Sequence, residues 1–86
     1  MTIKAIASAL VLLTTPAMAC EDGHWVSDNL AEGRIIKLED GSMWRIAPFD
    51  AITTQLWLTA DDIIICDDSK LIHVDDGEEV AATRLR

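Results

Sequence analysis

Apolar and polar residues alternate most cleanly between Arg34 and Ile46. There Arg34-Ile35-Ile36-Lys37-Leu38 and Met43-Trp44-Arg45-Ile46 flank Glu39-Asp40-Gly41-Ser42. A period of two marks half-buried strands, and an acid-Asp-Gly turn between two such runs marks a hairpin. The loop length follows from the faces. A two-residue loop at Asp40-Gly41 sets Lys37 on the same face as Trp44. A three-residue loop, with Gly41 in the left-handed position of a bulge, pairs Leu38 with Ser42 and Ile36 with Trp44. Ile36, Leu38, Trp44 and Ile46 then share one face, and Lys37 and Arg45 share the other. A slip of one residue exchanges the faces, so the bulged loop is predicted.

The same recipe recurs as Val74-Asp75-Asp76-Gly77-Glu78-Glu79-Val80. In the equivalent register Ile72, Val74, Val80 and Ala82 lie on one face and Leu71 and Ala81 on the other. His73 stands opposite Glu79 as a cross-strand surface pair. Two hairpins with one turn chemistry are predicted, not a solenoid repeat. Between them Pro48 ends a strand. Phe49, Ile52 and Leu56 have helical spacing, and Asp50 suits an N-cap. Thr53 and Thr54 limit this segment to one turn or a 3₁₀ piece. Ile63-Ile64-Ile65-Cys66 is apolar on both faces, as in a central strand or one lining a closed barrel. Upstream, His24-Trp25-Val26 reads as a short strand and Ser27-Asp28-Asn29 as turn or loop. Five or six short strands of this kind predict an all-β fold: a small antiparallel barrel, SH3-like or OB-like, with one short helical turn.

The N-terminus departs from this pattern. Lys4 precedes an apolar run from Ala5 to Leu13, Thr14-Thr15-Pro16 breaks it, and Ala17-Met18-Ala19 offers small residues to a peptidase. Residues 1–19 are therefore expected to be a cleavable signal peptide. The run is shorter than the roughly 20 residues of a membrane-spanning helix. Residues 20–86 then form a single small β domain with a periplasmic or secreted location. The formal charge of the whole chain is −8, and loss of Lys4 makes it −9. A domain this small buries a modest core and usually needs a staple. Cys20 and Cys66 survive cleavage, and in an oxidising compartment they are expected to form a disulfide. Closing a loop of that length restricts the unfolded chain by roughly 4 kcal/mol in the entropic treatment.

The run Ile36-Lys37-Leu38-Glu39-Asp40-Gly41-Ser42-Met43-Trp44-Arg45-Ile46, followed by Asp50, Thr54, Trp57, Asp62 and Ile64, also supports a comparison. The chain resembles small secreted or periplasmic bacterial proteins with an I-x-L-E-D-G-S-x-W-x-I pattern, a spaced Trp and a D-x-I strand. The resemblance covers roughly residues 33 to 66, with a weaker echo at Asp75 to Glu78. It implies one compact β domain and supplies no site residues.

Candidate chemistry is sparse. Cys20, His24, Cys66 and His73 have the atom types of a zinc site, but the second spacing is loose and exported cysteines oxidise, so no metal is expected there. Asp67-Asp68 and Asp75-Asp76-Gly77-Glu78-Glu79 lack the alternating ligands of an EF-hand and read as solvated turns. Ser27, Ser42 and Ser69 lie in turn-like stretches without a nucleophile elbow. No catalytic residue, metal or cofactor is expected. The acidic charge opposes nucleic acid and anionic lipid. Trp44 is placed in the core by its register. Trp25 and Trp57 suit either the core or an exposed aromatic anchor for a partner.

The expected function is a non-enzymatic binding or accessory protein of the cell envelope, with a cationic protein as partner. Inhibition of a basic extracytoplasmic enzyme such as lysozyme is one form of it. A membrane-anchored structural lipoprotein is the alternative. It would require lipidation of Cys20, yet Ala17 stands where lipoprotein signals usually carry Leu.

Overall fold

The computed structural model describes residues 19–86; the expected leader lies outside them except for Ala19. Six strands follow in order: β1 (Cys20–Leu30), β2 (Ile35–Leu38), β3 (Met43–Ile46), β4 (Asp62–Cys66), β5 (Lys70–His73) and β6 (Glu79–Arg84). They close into an antiparallel barrel in the order β1-β2-β3-β6-β5-β4, as two three-stranded meanders joined at β3–β6 and β1–β4. One helical turn, α1 (Ala51–Thr54), follows a 3₁₀ turn over Pro48–Asp50. The fold is thus the small antiparallel barrel that the alternation implies. No helix among the described residues is long and apolar enough to cross a membrane.

Strand β1 makes closure possible. Its first half pairs with β4, from Cys20↔Cys66 to Trp25↔Asp62. Its second half pairs with β2, from Val26↔Leu38 to Leu30↔Ile35. One long bent strand therefore replaces the short strand and loop expected of residues 24–29. Ser27-Asp28-Asn29 is extended, with a register shift between Val26 and Asp28. Asn29 is held there by its side-chain amide, which donates to the carbonyls of Thr54 (2.7 Å) and Trp57 (3.0 Å). The disulfide joins Cys20 and Cys66 directly across the β1–β4 ladder.

The first hairpin adopts the bulged register. Ile36 pairs with Trp44, the Leu38 amide donates to the Ser42 carbonyl, and Gly41 has φ +87°. Ile36, Leu38, Trp44 and Ile46 are all buried. Asp40 Oδ1 accepts from both the Ser42 amide (2.9 Å) and hydroxyl (2.6 Å), and Trp44 Nε1 donates to the Ser42 hydroxyl oxygen at 2.9 Å. The turn thus satisfies the one polar atom of the largest core residue. These bonds, led by the Ser42 hydroxyl, lower the Asp40 pKa.

The second hairpin does not copy the first. Leu71 pairs with Val80 and Ile72 with Glu79, and the His73 amide donates to the Glu78 carbonyl. The loop holds one residue more, so Val74 leaves the strand and is exposed, whereas Leu71 and His73 turn inward. Adjacent Leu71 and Ile72 gave both faces an apolar residue, and alternation could not choose between them. Glu79 instead meets Lys70 at 3.7 Å. Val26, Ile63, Ile65, Leu71, Val80 and Ala82 complete the core with the first hairpin's apolar face and Trp57.

Candidate functional site

The segment between the meanders turns its apolar stripe outward. Phe49, Ile52 and Leu56 keep their helical spacing but are 79%, 72% and 75% exposed, and Leu58 beyond them is 68% exposed. The inward residues of the same turn are Thr54 and Trp57. Thr54 is fully buried, and its hydroxyl donates to the Gly33 carbonyl. Gly33 permits this approach: with φ +87°, a Cβ there would lie 2.4 Å from the Gln55 nitrogen and 2.8 Å from the Ala51 carbonyl oxygen. Asp50 makes no side-chain cap. Its carboxylate accepts from the Ala81 amide at 3.0 Å and ties the turn to β6. Pro48 starts the turn, and Asn29 clasps its far end. A short rigid platform therefore presents apolar side chains to solvent.

Two histidine clusters lie in the barrel wall, and one of them meets this platform through Trp57. In the β1–β4–β5 ladder His24, Ile63 and His73 stand in one row. His73 Nε2 lies 2.7 Å from Asp61 Oδ2, and Nδ1 lies 2.9 Å from Asp76 Oδ1. Ionised carboxylates only accept hydrogen bonds, so this geometry suits a doubly protonated ring. Burial pulls the His73 pKa down, but the bonds to Asp61 and Asp76 and their charge outweigh it, and the pKa is raised. The bond from His73 in turn lowers Asp61. Asp76 is lowered first by the Glu78 amide and then by His73. The Trp57 ring stacks on His73 with centroids 5.1 Å apart, and its Nε1 donates to Glu78 at 3.4 Å.

His24 repeats the arrangement nearer the surface. Nδ1 lies 2.8 Å from Glu39 Oε2 and Nε2 lies 3.3 Å from Glu21 Oε1. Burial again opposes and the carboxylates again prevail, so this pKa is also raised. Three donor sets gather within 4.8 Å: His24 with Glu39 and Asp40, Asp61 with His73 and Asp75, and His73 with Asp76 and Glu78. A divalent cation there would compete with the hydrogen bonds that each ring nitrogen makes to a carboxylate. A ring acting as a general base would have to give up one of the same bonds.

The two tryptophans named from sequence part company. Trp25 is 46% exposed on β1, whereas Trp57 is 4% exposed and belongs to the core. Only Trp25 retains a face for a partner. Cys20 and Cys66 share their disulfide, so neither sulfur is open to a metal or to an acyl chain. Sequence reasoning missed the outward direction of the Phe49 stripe and the His73–Asp61–Asp76 contact. The latter joins three segments by barrel closure, and its only local trace is the i,i+3 spacing of His73 and Asp76. Comparison with protein-family models, curated proteins and solved structures finds no match for this chain.

Proposed function

We propose that the protein is an exported, non-enzymatic binding module of the cell envelope that docks a cationic protein through the Phe49–Ile52–Leu56 face. The observation that carries this reading is the exposure of all three side chains on one short, well-anchored turn. Contiguous apolar surface on a small soluble domain marks an interaction site. Covering a Phe, Ile or Leu side chain is worth about 1.5–3 kcal/mol each, enough for three to anchor an interface. Asp and Glu outnumber Lys and Arg by 15 to 7, so the surrounding field favours a basic partner and speeds its encounter. The histidines support the same reading. Both are engaged by carboxylates on both ring nitrogens, which suits a structural pair more than a reacting group.

Residues 1–19 fit a leader that delivers the chain to an oxidising compartment, where the Cys20–Cys66 bond is stable. Inhibition of a basic enzyme such as a lysozyme is one form this binding takes. The test is affinity capture with the disulfide-bonded protein, then titration of each captured partner against wild type and Ile52→Ser. Binding that weakens about 30-fold in the variant and falls steeply with salt is expected. Equal affinity for both proteins, or partners that are acidic and indifferent to salt, would remove the proposal.

A further inference from the structure

On the outer wall of the barrel, away from the histidines, lies an open groove of about 870 Å³. Its floor follows from the β6 sequence. Arg45 and Thr83 are paired across the β3–β6 ladder, and the Ala47 amide donates to the Ala81 carbonyl just beyond it. The outward residues of β6 are thus the short Ala81 and Thr83, set beside a long arginine, and the sheet surface is sunken there. Pro48 forms an end wall. Arg34, whose carbonyl accepts from the Ile46 amide at 2.7 Å, reaches the same opening from the start of β2.

The charges at this groove run against those of the chain. Among the described residues Arg45 has no carboxylate within 4.0 Å, and Arg34 meets Glu32 only at 4.0 Å with both side chains largely in solvent. Elsewhere Lys70 and Arg84 find acids at 3.7 Å, while Lys37 on β2, like Arg45, has none within 4.0 Å among the described residues. Two solvent-facing guanidinium groups stand over a trough with apolar walls, and the acid bonded to its floor, Asp50, is already engaged by the Ala81 amide at 3.0 Å. They complement a ligand with an anionic head and a short apolar body. A planar guanidinium matches a carboxylate with two parallel hydrogen bonds, and the volume lies within the ordinary range for small-molecule sites.

We propose that this groove binds a small amphipathic carboxylate, its head on Arg45 and Arg34 and its apolar body along Pro48 and Ala81. The groove adjoins the docking face proposed above at Arg34 and Pro48 but is not lined by Phe49, Ile52 or Leu56, and it can fail without that face. The test is a titration of the ¹⁵N-labelled, disulfide-bonded protein with octanoate, octanamide and octylammonium, followed by amide shifts. Octanoate should give saturating shifts centred on Arg45, Ala81 and Thr83 in the millimolar range, with octanamide weaker and octylammonium silent. Arg45→Gln should weaken octanoate about fivefold or more, and Lys37→Ala, outside the groove, should not change it. Absence of saturating shifts, equal binding of octylammonium, or unchanged affinity in Arg45→Gln would overturn the proposal.

Discussion

Replacing Gly33 with alanine places a methyl group 2.4 Å from the Gln55 nitrogen, 2.7 Å from its Cα and 2.8 Å from the Ala51 carbonyl oxygen. All three atoms are backbone, so no side-chain rotation relieves the overlap. Gly41 supplies the control. It has the same φ of +87°, but a Cβ there meets nothing within 4 Å. An alanine in left-handed geometry costs about 1–2 kcal/mol at either position. At Gly33 the forced displacement of α1 adds about 1–3 kcal/mol, the range for over-packing. Gly33→Ala should therefore destabilise by about 2–5 kcal/mol and Gly41→Ala by about 1–2 kcal/mol. In a domain of this size each kcal/mol lowers Tm by roughly 4–8 °C. Urea unfolding of both variants with the disulfide intact, followed by circular dichroism, measures the difference. Gly33→Ala should also weaken partner binding, because it dislodges the turn that carries Phe49 and Ile52. Losses that agree within about 0.5 kcal/mol would refute the close seating of Gly33 against α1.

Three further outcomes follow from the same geometry. Replacing Cys20 and Cys66 together with serine should lower stability by about 2–4 kcal/mol, read from the shift in urea midpoint; an unchanged midpoint would show that the barrel closes without its staple. The raised pKa values of His24 and His73 mean that their contribution is whole below the unfolded histidine value of about 6.5 and is lost as pH rises through the folded values. The lowered values of Asp40, Asp61 and Asp76 mean the reverse: theirs is whole above about 4 and is lost as pH falls through the folded values. The thermal midpoint should thus peak in mildly acidic buffer, and His73→Gln should flatten its alkaline side; a wild-type midpoint that rises from about pH 6 to about pH 9 would contradict this linkage. Finally, tryptophan emission should change as His73 titrates against the stacked Trp57 ring, and Trp57→Phe should abolish that change; its persistence in the variant would assign it to another tryptophan.

Where one face of a strand was apolar and the other charged, the pattern of residues was enough to place it. Lys37 and Arg45 left a single register for the first hairpin, and the structure has it. The second hairpin lacked such a marker. Leu71 and Ile72 are both apolar, and the residue that decides between them is His73, buried because Asp61 and Asp76 neutralise its charge and Trp57 covers its ring. Asp61 and Trp57 come from another segment that no local pattern names, and only the i,i+3 spacing of Asp76 is local. The Phe49, Ile52 and Leu56 spacing was legible as helical, but its direction was not. It is set by Thr54 reaching the Gly33 carbonyl and by Trp57 entering the core, contacts that exist only once the barrel has closed. Likewise Ser27-Asp28-Asn29 has turn composition, yet pairing with β2 and the Asn29 clasp keep it extended.

The outward stripe on the turn before β4 is the feature on which the binding reading rests. Placing a photoreactive phenylalanine analogue at Phe49, and in a second variant at the exposed Val74 of the other hairpin, reports what touches each surface in cells that produce the protein. Irradiation should yield a discrete adduct with a basic protein from position 49 but not from position 74, and Ile52→Ser should suppress it. No adduct at position 49, or the same adducts from both positions, would contradict a docking role for this face.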